Sequence, residues 1–148
     1  MGTTIVGALF VNHEILIANV GDSRAYVLNN DELKQITSDH SLVNDLVRTG
    51  QIEVQDAQSH PQRNILTNAL GVVSNLKVDI FTITKADKIL LCSDGLSGYV
   101  SKDVMRDVLN SEDSIETMLS KLIKAANDAG GYDNTTVIII DLGGTFSE

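Results

Sequence analysis

The stretch KILLCSDGLSGYV, residues 88–100, carries four consecutive apolar residues directly into Ser93, Asp94 and Gly95. A short apolar run that ends in turn residues is typical of a buried β-strand. Asp-Gly is a common turn pair, so the simplest interpretation is a strand that ends at the protein surface. The other interpretation is that the rigid end of a strand holds the Asp94 carboxylate in place for chemistry. The rest of the sequence has to decide between them.

The composition indicates one folded, acidic domain. Of the 148 residues, 43% are hydrophobic and 21% are charged, so the chain can bury a core. The net charge of −9 leaves no basic stripe, which argues against a nucleic acid or an anionic membrane as partner and is compatible with cation binding. Cys92 is the single cysteine, which excludes an intrachain disulfide or a thiolate zinc site and favours a reducing, cytoplasmic setting. No apolar run approaches the roughly 20 residues of a membrane span.

Apolar periodicity predicts an α+β fold with many antiparallel strands early in the chain and helices late. Strands are predicted where β-branched and apolar residues fall between short polar breaks, and helices where apolar residues recur three and four positions apart. The uninterrupted run TTVIIIDL indicates a strand buried on both faces. A capping box formed by Asp113 and Glu116 is predicted to begin the last helix. The predicted strands are 3–11, 14–20, 24–28, 33–36, 76–83, 88–92 and 135–142, and the predicted helices are 41–48, 101–109 and 114–129.

Residues 38–75 differ in character from the rest of the chain. They are polar and mixed, and they contain the only proline. We therefore predict a single domain, residues 1–148, within which residues 38–75 form a semi-independent flap. The alternative is that this segment consists simply of surface helices with no functional role.

Three glycine-flanked aspartates stand where an apolar strand begins or ends. Asp22 lies in ANVGDSRAYV, Asp94 in LLCSDGLSG and Asp133 in GGYDNTTVIII. Carboxylates are the hard oxygen ligands that Mg²⁺ and Mn²⁺ prefer, and flanking glycines allow a hydrated ion to approach closely. Each aspartate taken alone is better explained as a turn residue. The three together leave a metal site and three ordinary turns as open alternatives.

Two nucleophilic chemistries are less well supported. GDSRA, residues 21–25, imitates the nucleophile elbow of a serine hydrolase with Ser23 as nucleophile. That motif needs glycine where Ala25 stands and a helix afterwards, whereas the following residues predict a strand. A cysteine phosphatase needs a phosphate-binding arginine in the loop after its nucleophile, and none follows Cys92 there. Cys92 is therefore interpreted as a small buried residue, and the three histidines as surface or structural residues.

Five motifs resemble, in order and spacing, the metal-dependent serine/threonine protein phosphatases of the PPM type, also called protein phosphatase type 2C, in their bacterial form. The resemblance extends from residue 2 to about residue 142, so nearly the whole chain takes part. The motifs are GTT (2–4), VGDSRAY (20–26), HPQRN (60–64), LLCSDGLS (90–97) and GGYDNTTVI (130–138).

The resemblance implies a fold, a cofactor and a reaction. The fold would be a partial α-β-β-α sandwich of two antiparallel sheets flanked by helices. The cofactor would be Mn²⁺ or Mg²⁺, as a core metal pair that activates a water to hydrolyse phosphoserine and phosphothreonine. By position, Asp94 and Asp133 would bind the core pair, and Asp22 would share a third metal with Asp94. The implied partners are phosphoproteins and a cognate serine/threonine kinase system, with the flap facing the substrate.

The sequence departs from the family at one place. The family's N-terminal part, which carries a phosphate-binding arginine, a metal-bridging aspartate and a histidine proposed as general acid, has no counterpart here. We therefore expect the chain to be the C-terminal portion of a phosphatase, with Met1 an internal methionine, and to be inactive by itself. Uncovered sheet edges and an uncovered apolar face would favour instability or self-association. The alternative function is a non-catalytic binding module that retains the fold.

Overall fold

The computed structural model describes residues 1–143. Within them the chain forms strands first and most of its helices late, as the apolar pattern predicts. Most elements lie within a few residues of their predicted bounds, and two short helices are additional. The strands are β1 (Ile5–Val11), β2 (Glu14–Val20), β3 (Arg24–Asn29), β4 (Glu32–Gln35), β5 (Asp79–Ile83), β6 (Lys88–Cys92) and β7 (Val137–Asp141), and the helices are α1 (Leu42–Arg48), α2 (Val54–Ala57), α3 (Asp94–Ser97), α4 (Lys102–Leu109) and α5 (Ile115–Asp128).

The strands form two antiparallel sheets. The first sheet has the strand order β1-β2-β5, and the second has the order β4-β3-β6-β7. Strand β6 lies inside the second sheet, where Ile89 is paired with Val27 of β3 on one side and with Ile140 of β7 on the other. The chain that leaves β6 therefore starts from a strand that is hydrogen-bonded along both edges.

The two sheets pack face to face over an apolar core. Alternate residues of β2, β3 and β6 point into this core, because successive side chains of a strand lie on opposite faces of the sheet. Ile15, Ile17 and Ile89 are completely buried. The buried members of this core are Ile15, Ile17, Ala25, Val27, Ile83, Ala86, Ile89 and Leu91.

Helices α4 and α5 cover the other face of the second sheet. The apolar stripe predicted for the last helix is found here, with Met118 and Leu122 buried. The two sheets and this helix layer confirm the predicted α+β sandwich. The buried members of this second core are Tyr26, Leu28, Leu33, Leu90, Cys92, Leu96, Val100, Met105, Leu109, Leu122 and Ala126.

Serine side chains begin the three helices that the sequence predicted. Ser41, Ser101 and Ser114 each accept a hydrogen bond from a backbone N–H three residues later. The predicted capping box starting at Asp113 is therefore wrong, because Ser114 has the extended backbone of an N-cap and its own hydroxyl fills that role. The Asp113 carboxylate instead forms an ion pair with Lys121.

Three strands were predicted to be longer than they are. Strand β1 begins at Ile5 rather than at residue 3. Strand β5 begins at Asp79 rather than at residue 76, and β7 runs over Val137–Asp141 rather than over residues 135–142. The prediction that the last strand is buried on both faces is wrong for Ile138, which is 51% exposed. Strand β7 lies at the edge of its sheet, and an apolar run does not distinguish an edge strand from a central one.

The outer face of the first sheet is exposed. Ile5 and Leu9 of β1 and Ile80 of β5 are 51%, 61% and 57% exposed, and they alternate with residues that pack into the inter-sheet core. The helix layer lies on the second sheet, so within residues 1–143 this apolar face has no cover. None of the helices in the same part of the chain is long and apolar enough to span a membrane.

Candidate metal and phosphate site

Asp94 is the first residue of a short helix rather than part of a surface turn. Strand β6 ends, Ser93 is the N-cap and helix α3 follows at once. Burial and the nearby Asp133 carboxylate both raise the pKa of Asp94, because each disfavours its charged form. Of the two interpretations of the opening stretch, the structure favours the rigid strand end that holds a carboxylate in place.

The loop that carries Asp133 is bound to the same strand end. The Ser93 N–H donates to the Thr136 carbonyl oxygen, and the Thr136 N–H donates to Ser93 Oγ, both at 3.0 Å. These bonds hold the loop against the strand end and explain why the Asp133 carboxylate is close enough to raise the pKa of Asp94. The Asn134 N–H also donates to Asp133 Oδ1 at 2.7 Å, so Asp133 serves as a turn residue as well.

Asp22 lies in the tight turn between β2 and β3. Gly21, just before it, has φ +109°, and a Cβ at that position would lie 2.3 Å from Thr4 Cγ2, so both the backbone conformation and the space require glycine. Burial, followed by the carboxylates of Asp94 and Asp39, raises the pKa of Asp22 to about 6. Asp22 therefore lies close enough to Asp94 for the two carboxylates to repel each other.

An ion pair that the sequence pattern did not predict lies beside these carboxylates. Arg24 Nε is 2.9 Å from Asp39 Oδ1 and Arg24 Nη2 is 2.7 Å from Asp39 Oδ2, a bidentate arrangement. Arg24 Nη1 also donates to the Tyr26 hydroxyl at 3.1 Å. The positive charge of Arg24 acts to lower the pKa of Asp22 and of Asp94 and so partly offsets their burial. The only feature of the sequence that could have indicated this ion pair was a charged residue, Arg24, at the start of an apolar strand.

A cleft of about 110 Å³ opens beside this ion pair. Its lining combines the carboxylates of Asp22 and Asp94 with Arg63, whose guanidinium carbon lies 5.5 Å from the centre of the Tyr99 ring. Arg63 belongs to the segment 38–75, which forms one wall of the cleft. In the sequence, this arginine stood out only as part of the HPQRN motif. The cleft thus places groups that attract cations next to a group that attracts anions.

The described residues offer the right donors for a divalent cation but not a complete set. Asp22, Asp94 and Asp133 carry hard carboxylate oxygens. Burial and, after it, repulsion by a neighbouring carboxylate raise the pKa of Asp22 and of Asp94, and a bound cation would relieve that repulsion. Within residues 1–143, no three His, Cys, Asp or Glu side chains are grouped so that they could hold an ion. The arrangement consists of two neighbouring pairs that share Asp94. It fits a cation whose other ligands are waters or further protein groups.

Comparison with known proteins identifies the family. Residues 1–46 match the family described as Protein phosphatase 2C. The serine/threonine phosphatase stp of Listeria welshimeri serovar 6b is 47% identical over 143 residues, which are 95% of this chain and 57% of that protein. The crystal structure of the serine/threonine phosphatase Stp1 from Staphylococcus aureus matches with a TM-score of 0.91 at 45% identity, over 96% of this chain and 57% of that one. The chain belongs to the protein phosphatase 2C family.

This phosphatase 2C chain spans a little more than half the length of the relatives that it matches. A further relative, the catalytic domain of the serine/threonine protein phosphatase PstP, was solved in complex with two manganese ions. It is 34% identical, with a TM-score of 0.82, over 95% of this chain and 59% of that one. The PPM-type resemblance and the fold class that it implied are confirmed.

The rival nucleophiles are not supported by the structure of this phosphatase 2C chain. A strand, not a helix, follows Ser23, and its hydroxyl lies 2.9 Å from Thr4 Oγ1. Cys92 is buried, and burial raises the pKa of its thiol to about 12, so the reactive thiolate is disfavoured. Of the histidines, His13 is exposed, whereas His40 is buried in a hydrogen-bond network.

Asp22→Asn is expected to stabilise the metal-free chain at pH 7. The folded-state pKa of about 6 lies above the ordinary 3.8, so the folded chain holds this proton more tightly than the unfolded chain, and stability is lost as the pH rises from about 4 to 6. For a fully buried group the difference would be worth about 3 kcal/mol, and solvent screening at this partly exposed site reduces the expected gain to about 1 kcal/mol. Thermal unfolding in EDTA should show this gain at pH 7 and not at pH 4. An equal difference at both pH values would contradict the electrostatic explanation.

Proposed function

We propose that this chain forms part of a metal-dependent serine/threonine protein phosphatase. Asp94 and Asp133 would bind a core pair of Mn²⁺ or Mg²⁺ ions, and Asp22 would bind a third ion together with Asp94. The substrates would be cytoplasmic phosphoproteins of a cognate serine/threonine kinase system. The observation that carries the proposal is the cleft in which Asp22 and Asp94, both with raised pKa, lie beside Arg63. Perturbed carboxylates in a cleft of mixed charge are typical of a reactive site.

Different side chains of the cleft would bind the cations and the phosphate group. Cations held by Asp22 and Asp94 would supply Lewis-acid polarisation of a phosphoryl oxygen and a water of lowered pKa. Arg63 lines the same cleft, with Nη1 donating to the Gln58 carbonyl at 2.8 Å, and its remaining N–H groups are available for phosphate oxygens. Arg24 is occupied by Asp39, so it supports the acidic wall rather than binding substrate.

We propose that residues 38–75 act as a substrate-facing flap. The start of the segment is joined to residues 65–67, because the Leu42 N–H donates to the Ile65 carbonyl at 2.9 Å and the Thr67 N–H donates to the His40 carbonyl at 3.0 Å. The part between these bonds, which includes Arg63, is therefore closed off as a loop with its own helices. Such a loop can adapt to a phosphopeptide without disturbing the sheets.

We further propose that the chain alone has no measurable turnover, since no three potential cation ligands are grouped within residues 1–143. The test is Mn²⁺-dependent hydrolysis of p-nitrophenyl phosphate by two proteins, each with and without EDTA. One is the chain alone, and the other is the chain fused behind the N-terminal part of the Listeria welshimeri relative. We expect EDTA-sensitive turnover from the fusion only. Turnover by the chain alone would contradict the proposal that its set of cation ligands is incomplete. A folded but inactive fusion would contradict the phosphatase function.

A non-catalytic binding module is the second candidate function. The incomplete ligand set in the described residues favours it, because a fold can keep its cleft after it has lost its chemistry. A fusion that folds and binds a phosphoprotein tightly, without metal-dependent turnover, would identify this function.

We predict that the chain self-associates through the first sheet. Within residues 1–143, strand β1, IVGALFV, lies at a sheet edge and has neither charge nor proline, the features by which edge strands avoid pairing, and its outer face is apolar. Leu9→Lys should convert an oligomer into a folded monomer in sedimentation velocity, because a charge in the middle of the edge opposes pairing. Val54→Lys, at an equally apolar exposed site on α2, is the control and should leave the oligomer unchanged. A wild-type monomer with a sharp melting transition would contradict the prediction.

A further inference from the structure

His40 is buried beside the turn that carries Asp22, and it uses both ring nitrogens. The residue is only 8% exposed. The Gly21 N–H donates to His40 Nδ1 at 3.0 Å, and the side-chain amide of Asn68 donates to the same nitrogen at 2.9 Å. The other nitrogen, Nε2, lies 2.7 Å from Asp79 Oδ2 at the start of β5. One imidazole therefore joins the turn, the end of the 38–75 segment and the first sheet.

The partners of His40 determine its tautomer. The Asn68 amide is oriented by Lys77, because its Nδ2 donates to the Lys77 carbonyl at 2.7 Å and its Oδ1 accepts from the Lys77 N–H at 3.3 Å. Nδ1 of His40 thus faces two N–H donors and must be the unprotonated acceptor. Nε2 then carries the hydrogen and donates it to the Asp79 carboxylate. Asp79 therefore holds the ring in the orientation that Gly21 requires.

The backbone of Gly21 is hydrogen-bonded through both of its polar atoms. Its carbonyl oxygen accepts from the His40 N–H at 3.0 Å and from Asn19 Nδ2 at 3.3 Å, while its N–H is bound by the His40 ring. Glycine has no side chain to restrict its dihedral angles, and Gly21 adopts φ +109°. These bonds, rather than an intrinsic preference, therefore set the direction in which Asp22 leaves the turn.

We propose that His40 is a positioning residue for cation binding. By accepting the Gly21 N–H bond at Nδ1, it fixes the turn that directs the Asp22 carboxylate into the cleft. His40 acts through the backbone and does not touch the cation, while Asp79 holds its ring. The cation-binding half of this inference rests on the proposed function, whereas the fixed turn does not. Loss of a partner that orients a metal ligand typically lowers metal affinity about 10–100-fold.

Two substitutions separate the two ring nitrogens. His40→Asn places an amide oxygen near the position of Nδ1, so it keeps the acceptor for Gly21 and loses the bond to Asp79. His40→Gln places an amide nitrogen near the position of Nε2, so it keeps the donor to Asp79 and loses the acceptor for Gly21. Both variants lose the imidazole ring, so each loses the packing contacts of that ring. The measurements on the chain are Mn²⁺ affinity by electron paramagnetic resonance of free Mn²⁺, exchange of the Gly21 amide proton by NMR, and the melting temperature.

His40→Gln is expected to lower Mn²⁺ affinity about 10–100-fold and to accelerate exchange of the Gly21 amide proton. His40→Asn should stay near the wild type in both measurements at a similar melting temperature. Equal losses in the two variants, in proportion to their melting temperatures, would show a purely structural role and overturn the proposal. A wild-type chain that binds no Mn²⁺ would overturn the cation half of the inference, whereas the proposed function is tested separately by the turnover of the fusion protein. Exchange of the Gly21 amide proton would then be the only test of whether His40 fixes the turn.

Discussion

Asp94→Asn is expected to abolish Mn²⁺-dependent hydrolysis of p-nitrophenyl phosphate by the fusion protein. Asp94 is the one carboxylate that neighbours both Asp22 and Asp133, so neutralising it removes a ligand from both pairs. The loss should exceed the roughly 100-fold upper value that removal of an outer-shell partner costs a metal site, because we propose Asp94 as a direct ligand. Initial rates at saturating Mn²⁺ measure the effect, and a melting curve shows that the variant is folded.

The matched control for Asp94→Asn is Asp128→Asn. Asp128 lies on the surface of α5, where it pairs with Lys124, and it does not line the cleft, so its replacement makes the same change of charge outside the proposed site. A surface ion pair of this kind contributes at most about 1 kcal/mol, and the rate should not change. A folded Asp94→Asn variant with the wild-type rate would show that Asp94 is not a metal ligand.

Gly95→Ala is expected to destabilise the chain and to weaken Mn²⁺ binding together. A Cβ at this position would lie 2.1 Å from the Asn134 carbonyl oxygen and 2.8 Å from its carbon, so the backbone next to Asp133 must move. Overpacking of this kind costs about 1–3 kcal/mol. The movement would also separate Asp133 from Asp94, which the bonds between Ser93 and Thr136 now hold together. Thermal unfolding and electron paramagnetic resonance of free Mn²⁺ measure the two effects.

Gly7→Ala is the control for Gly95→Ala. Gly7 lies in β1 with no heavy atom within 4 Å of an added Cβ, so the same change of side chain meets open space. We expect no loss of stability and unchanged Mn²⁺ affinity. If the two alanine variants behave alike, then the close approach of Gly95 to Asn134 does not hold the two aspartates together.

The sequence predicted well those elements whose pattern is local. Strands β2 and β6 have the predicted bounds, and α5 was recognised from its apolar stripe, because side-chain periodicity depends only on neighbouring residues. The motifs around Asp22, Asp94 and Asp133 indicated the family before any geometry was known. The family resemblance implied that Asp22 and Asp94 share a third metal, which stays a prediction, and the structure shows that the Asp94 carboxylate helps to raise the pKa of Asp22.

Only the tertiary structure decided which residues meet across the chain. It placed β7 at a sheet edge, paired Arg24 with Asp39, and brought Arg63 to the cleft. It also showed that His40 binds Gly21 and Asp79, residues that are separated from it by 19 and 39 positions. Such contacts depend on how sheets and loops pack rather than on the pattern of adjacent residues, so each partner taken alone is an ordinary polar residue of a strand end or a turn. The chemistry of single residues is therefore local, whereas their grouping into a site follows from the packing of the two sheets.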